Sequence, residues 1–376
     1  MKRSTERILT TFVGSLARPA DLIETLKAKE NGQSYDRQAY DAHVRTIVSD
    51  GEQEGGLCHL RRRAPRRLRA ASDSAAGRAR GWGRERSWIS RSTTGGIPDG
   101  AGASIGTPTS LACTGPIAYK GQQALQRDTE NVKAALKGVN AEEAFMPPGP
   151  RMSRRSVSKN EYYPTEEAYL YAIADAMREE YNAIVTAGFL LQVDDPRLVT
   201  YYNSNPGSTV EQCRKWAELR VEALNYALRD IPPEKVRFHT CYGINIGPRV
   251  HDMALTDIVA IMLRVNAGAY SFEAANPRHE HEWRVWQSVK LPEGKILIPR
   301  VITHCSNICE HPELVAERLL QFAGIVGREN IIAGSDCGFS SQAPAEPEIH
   351  PTVVWAKFKA MAEGARLASE ELWGRR

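Results

Sequence analysis

The sequence predicts an α/β fold, a single (β/α)8 TIM-like barrel over residues 1–376, on three observations. From residue 109 onward, short apolar runs alternate with longer stretches of helical periodicity. The repeat of strand plus helix is about 30–45 residues, the spacing parallel neighbours need for a crossover helix. The runs number about eight, which suits a closed barrel. No G-x-G-x-x-G turn follows any of them, which weighs against an open doubly wound sheet.

Taken in order, the first strand is read in TTFVGS (10–15). LACTG (111–115), EEAFM (142–146), FLLQVD (189–194), VRFHTC (236–241), AYSFE (269–273), ILIPRVIT (296–303) and NIIAGSD (330–336) follow. Amphipathic stretches lie between them, among them TEEAYLYAIADAMREEYNAIVTAG (165–188) and HPELVAERLLQFAGIVG (311–327). In the second, Leu314, Val315, Arg318, Leu319 and Phe322 keep helical spacing, and Gly327 suits the helix end.

Residues 57–108 interrupt this rhythm. They have no clean apolar periodicity and are rich in Arg, Gly and Ser, and 61–91 alone holds 11 Arg and no Lys. One reading is a disordered basic insertion. Another is a stretch out of frame, because a one-nucleotide shift within 57–65 permits a strand ending in an acidic loop. PGPRMSRRSVSK (148–159) looks similarly foreign.

Apolar residues make up 42% and charged residues 25% of the chain, ordinary values for a globular protein. The net charge of +4 is carried by the Arg-rich segment, and the remainder is mildly acidic. No general affinity for nucleic acid or membrane follows. No run reaches the roughly 18 apolar residues of a membrane span, and MKRSTERILTTF lacks the apolar core of a signal peptide. Seven Cys in a long chain argue for reduced thiols and a cytoplasmic location.

The chemistry-bearing residues sit at strand ends. In VRFHTCYGIN, His239 and Cys241 are two apart and project from one face of an extended chain. The next strand ends in Glu273, and the last ends in Asp336 and Cys337 before Gly338. A strand-end Glu is ordinarily solvated, and a Cys before Gly ordinarily packs. Together, at C-terminal strand ends that converge on one face of a barrel, His, thiolates and carboxylate are the donors of a tetrahedral zinc site. Cys58, Cys113, Cys213, Cys305 and Cys309 have weaker claims. Cys305 and Cys309 resemble a helical i, i+4 pair.

These residues resemble the cobalamin-independent methionine synthase family, whose catalytic barrel binds zinc through His-x-Cys, Glu and Cys. The likeness runs through TTFVGS, ACTGPIAYKG, LLQVDDPRL, FHTCYG, YSFEAANPR and IAGSDCGF, and leaves out 57–108 and 148–159. By position it implies His239, Cys241, Glu273 and Cys337 as zinc ligands. It implies Asp194 as the acid for the amino group of homocysteine, Ser15 as the serine that holds the amino-acid part, and His304 as the catalytic histidine. Members with two barrels are longer, so this chain corresponds to the single catalytic barrel. Tyr119 is the candidate to stack on a folate near TGP. Glu52, in an SDGE motif, precedes the expected second strand and takes no role.

The implied activity is zinc-dependent thiol S-methylation, from a methylated folate to homocysteine. Two thiolates and a carboxylate make zinc a poor Lewis acid for water, while a substrate thiolate on it stays nucleophilic. His304 would protonate the leaving amine. Other readings stay open: an alkyltransferase for another thiol such as coenzyme M, a zinc hydrolase, or a degenerate zinc-binding copy without turnover.

Overall fold

The computed structural model describes residues 1–13, 16, 20–30, 33–36, 38–39, 41–42, 59–60, 112–137, 139–148, 159–205, 207–243, 250–339 and 349–374. Ten strands lie among them: β1 (Leu9–Thr10), β2 (His59–Leu60), β3 (Ala112–Cys113), β4 (Glu143–Met146), β5 (Lys159–Asn160), β6 (Leu190–Asp194), β7 (Val236–His239), β8 (Ala269–Phe272), β9 (Ile296–Ile302) and β10 (Ile332–Ser335). The helices are α1 (Ala20–Glu30), α2 (Gln122–Ala135), α3 (Glu166–Thr186), α4 (Arg197–Ser204), α5 (Val210–Ala227), α6 (Leu255–Met262), α7 (Val285–Ser288), α8 (Pro312–Val326) and α9 (Pro351–Trp373).

Eight strands form one parallel sheet in the order β1-β10-β9-β8-β7-β6-β4-β2. This is the sequential order of a TIM-like fold, and among the described residues the sheet is open between β1 and β2. The α/β class and the parallel sheet agree with the sequence reading, whereas the expected closure is not seen.

Two strand assignments are corrected. LACTG supplies no strand to the large sheet, because Ala112–Cys113 pairs with Lys159–Asn160 in a separate two-stranded sheet. The run is short and stops at Gly115-Pro116, where proline has no N–H for a ladder. The free edge of β4 is taken instead by His59–Leu60, paired with Glu143 and Ala144. The first strand also begins earlier than TTFVGS, at Leu9, and its ladder ends with Thr11 N–H donating to the Ala333 carbonyl. Apart from His59–Leu60, the irregular segment 57–108 lies outside the described residues, as do 149–158, Ser15, Glu52 and Cys58.

Helix ends follow local chemistry. Thr165 caps α3 by accepting from Ala168 N–H, and Thr209 with Gln212 makes a capping box on α5. Gly327 ends α8 with φ of 91°, a conformation that suits glycine. Within α8, Val315, Arg318, Leu319 and Phe322 are buried and Leu314 is exposed. Among the described residues no helix is long and apolar enough to cross a membrane.

Strand alternation builds the site. Val236, Phe238, Tyr270, Phe272, Leu297, Val301, Ile331 and Ala333 join the large core shared with the helices. The alternate residues Ala269, Ile296, Ile298 and Ile332 cluster separately with Leu9. Along that second face, towards the C-terminal strand ends, apolar residues give way to polar ones. Ala269 is followed by Ser271 and Glu273, Ile296 and Ile298 by Arg300, and Ile332 by Gly334 and Asp336. Gln192 and Asp194 on β6, and Arg237 and His239 on β7, occupy the same face and are buried.

Candidate metal centre

His239 ends β7, and Cys241 follows after Thr240 N–H donates to the Ser271 carbonyl. Cys337 lies just beyond β10. All three are buried, with donor atoms within 4.8 Å of one another. The Cys241 and Cys337 sulfurs are 3.6 Å apart. Two thiolates on a tetrahedral zinc at about 2.3 Å each would be about 3.8 Å apart. The sulfur pair therefore stands at ligand spacing, and one imidazole with two thiols suits zinc. These three residues could bind a metal ion.

The Cys337 sulfur and then burial push the Cys241 thiol well above its ordinary value, with the Glu273 charge adding and the Arg300 charge opposing. Without a metal, the Cys241 thiol is therefore held protonated. Burial also pushes Asp336 up, against the pull of the Ala274 and Ala275 N–H groups and of Arg300.

Glu273 is not in the three-residue group. It is 2% exposed, and its carboxylate accepts from Tyr242 N–H at 2.9 Å and Asn276 Nδ2 at 2.8 Å. Asp336 accepts from Ala274 and Ala275 N–H at 3.0 Å each, and from Asn276 at 3.4 Å. The residue beside Cys337 thus ties down the turn that follows Glu273. A further stack supports Cys241. The His279 ring lies 3.7 Å from the Tyr242 ring at 8°, with Glu282 at 2.9 Å on Nδ1 and Asp252 at 3.4 Å on Nε2. Burial opposes a charge there, but the hydrogen bonds to Asp252 and Glu282 outweigh it, and His279 is pushed up to about 9.

Asp194 is buried and pairs in register with His239 across β6 and β7, and its Oδ1 accepts from Gln192 Nε2 at 2.9 Å. His304 is 2% exposed, with Nε2 3.1 Å from the Gly243 carbonyl. A carbonyl only accepts, so Nε2 carries the proton. Cys305 Sγ lies 3.3 and 3.7 Å from the two His304 ring nitrogens. The expected helical pairing of Cys305 with Cys309 is corrected. Residues 303–310 form no helix but an irregular stretch with bends, held by Thr303 N–H donating to Glu310 and by Lys357 donating to Glu310 and the Ile308 carbonyl. Tyr119 is buried in the large core.

Sequence reasoning missed four residues here: Asp336 as a clamp, Asn276, His279 and Arg300. The available signal for Arg300 was a charged residue inside the apolar run ILIPRVIT. It is fully buried, and its guanidinium reaches Ser271 Oγ at 3.2 Å, the Ser335 carbonyl and the His239 ring.

No protein-family model matches the chain, and no curated protein matches its sequence. Solved structures do match. A B12-independent methionine synthase from Shewanella sp. W3-18-1, in complex with selenomethionine, is 15% identical with a TM-score of 0.66, over 98% of this chain and 99% of that one. A putative vitamin-B12 independent methionine synthase from Listeria monocytogenes is 16% identical with a TM-score of 0.65, over 95% and 98%. A methyltransferase from Methanosarcina mazei is 13% identical with a TM-score of 0.53, over 96% and 94%. The chain therefore has an α/β fold with a TIM-like parallel sheet, carrying a buried His-Cys-Cys group. More particularly, it is similar in fold to B12-independent methionine synthases along nearly its whole length.

Proposed function

We propose that the chain is a zinc-dependent thiol S-methyltransferase that moves a methyl group from a methylated folate to homocysteine, forming methionine. The observation that carries the reading is the sulfur pair of Cys241 and Cys337, 3.6 Å apart beside His239. Its setting in a fold similar to B12-independent methionine synthases supports the substrate class.

Zinc, when bound, supplies a cation that keeps a substrate thiol deprotonated and nucleophilic near neutral pH. The chain's own residues do the rest. His239, Cys241 and Cys337 hold the ion, with Glu273 as the fourth donor. Asp194, buried one strand away from His239, takes the substrate ammonium through a charge-assisted contact, and Ser15 holds its amino-acid end. The substrate sulfur attacks the methyl carbon. The carbon–nitrogen bond to the folate breaks, its electron pair stays on nitrogen, and His304 delivers the proton that nitrogen needs.

The test is product analysis with zinc-loaded protein, a methylated folate, and homocysteine or coenzyme M as acceptor. Methionine should form and coenzyme M should react poorly, because it offers Asp194 no ammonium. Methylation of coenzyme M alone would make the chain a related alkyltransferase for another thiol. Zinc-filled protein that methylates neither would be a non-catalytic homologue.

A further inference from the structure

Arg300 occupies an unusual place for a permanent cation. It is 0% exposed on the polar inner face of β9, one strand from Ser271 and β8. Its Nε donates to Ser271 Oγ at 3.2 Å and its Nη1 to the Ser335 carbonyl. Nη2 points at His239, in contact with Nδ1 and 3.3 Å from Nε2.

The stoichiometry of lone pairs makes this contact consequential. A guanidinium has donors only and stays protonated in proteins, so the His239 nitrogen it meets must offer a lone pair. A neutral imidazole has one lone-pair nitrogen, and the other carries a proton. Nη2 stands closest to Nδ1, so Nδ1 accepts and Nε2 carries the proton; freeing Nε2 for a metal would move that proton to Nδ1 and turn an N–H against the guanidinium. A metal ion needs that same lone pair. The two bonds exclude each other.

We propose that Arg300 is a built-in competitor of the metal for His239: the guanidinium holds the metal-free site, and the ion gains its imidazole donor only when Arg300 turns away. This rests on the reading of His239, Cys241 and Cys337 as a metal centre. Buried charge gives the competitor a use, since the Glu273 and Asp336 carboxylates share the Asn276 amide beside the cysteines and a fixed cation offsets them when no ion is present. Arg300 is therefore a positioning residue, acting on the centre through His239. The competition also sets the sign of the effect. Removing a merely structural arginine would loosen the centre and weaken metal binding, whereas removing a competitor strengthens it.

The experiment measures Zn2+ affinity of metal-free wild-type protein and of Arg300→Leu against a chromophoric chelator. The variant should bind about tenfold tighter or more, the scale of one lost hydrogen bond to a charged group. Circular dichroism checks that the variant folds, because it leaves Asp336 without its neighbouring cation. A second measurement needs no variant: in side-chain NMR of wild type, stoichiometric Zn2+ should shift the slowly exchanging signal of one buried arginine. Tighter binding by the variant, or that shift, supports the proposal. Equal or weaker zinc affinity in a folded variant overturns it and leaves the metal centre standing, as do arginine signals that zinc does not move. Zinc uptake by neither protein overturns the metal centre and the competition together.

Discussion

Replacing His279 by Gln should remove a pH-dependent share of stability. The imidazole is 2% exposed, stacked on Tyr242 and flanked by Glu282 and Asp252. Arg278 and Asn203 also hold Asp252, and Leu255 N–H holds Glu282, so both carboxylates keep partners in the variant. Hydrogen bonds to the two acids, working against burial, raise His279 from 6.5 to about 9. A group raised on folding contributes fully below its unfolded value and loses that contribution as pH rises through its folded value. The shift corresponds to about 3 kcal/mol, present below about pH 6.5 and lost by about pH 9 to 10. Urea unfolding of wild type and His279→Gln at about pH 6 and about pH 9.5 should therefore give a stability gap that narrows by about 3 kcal/mol at the higher pH. A gap that stays constant between the two would refute the charged stack. Because Tyr242 follows Cys241 and its N–H holds Glu273, the same variant should also lower zinc affinity at the lower pH.

Two further outcomes follow from buried polar contacts. Asp194→Asn should keep its zinc and raise KM for homocysteine, with little effect on a thiol that lacks an amino group. Equal loss with both thiols in steady-state kinetics would make Asp194 a structural residue. Lys357→Met breaks a pair whose side chains are 0% and 7% exposed and 2.9 Å apart, which leaves Glu310 buried without its cation. It should cost about 3–5 kcal/mol, and Lys357→Met combined with Glu310→Gln should recover part of that. Denaturant titration of both variants checks this, and no recovery in the double variant would contradict the pairing.

The strand sequence was most legible where apolar runs were long and flanked by helical pattern. FLLQVD, VRFHTC, AYSFE, ILIPRVIT and NIIAGSD all carry strands of the large sheet. It failed where the sheet is made from fragments. The strand–helix rhythm called for a second strand within 57–65, where His59–Leu60 lies. That strand is two residues long in an Arg-rich stretch with no apolar run to mark it, and LACTG, which has such a run, pairs elsewhere. His239, Cys241 and Cys337 could be picked out because strand ends in this fold converge, so spacing along the chain translates into proximity. Contacts that depend on side-chain reach could not be read that way. Asp336 clamping the turn after Glu273 and Arg300 crossing to His239 bridge 62 and 61 residues of sequence, and a linear pattern holds no trace of which acceptor a guanidinium meets.

The most direct test of the account is zinc K-edge X-ray absorption on the zinc-loaded protein without substrate. Two sulfur neighbours at about 2.3 Å are expected, together with lighter nitrogen or oxygen donors at about 2.0–2.2 Å. Cys337→Ser should reduce the sulfur count to one. A spectrum with no sulfur neighbour, or one that Cys337→Ser leaves unchanged, would contradict a metal centre built on Cys241 and Cys337.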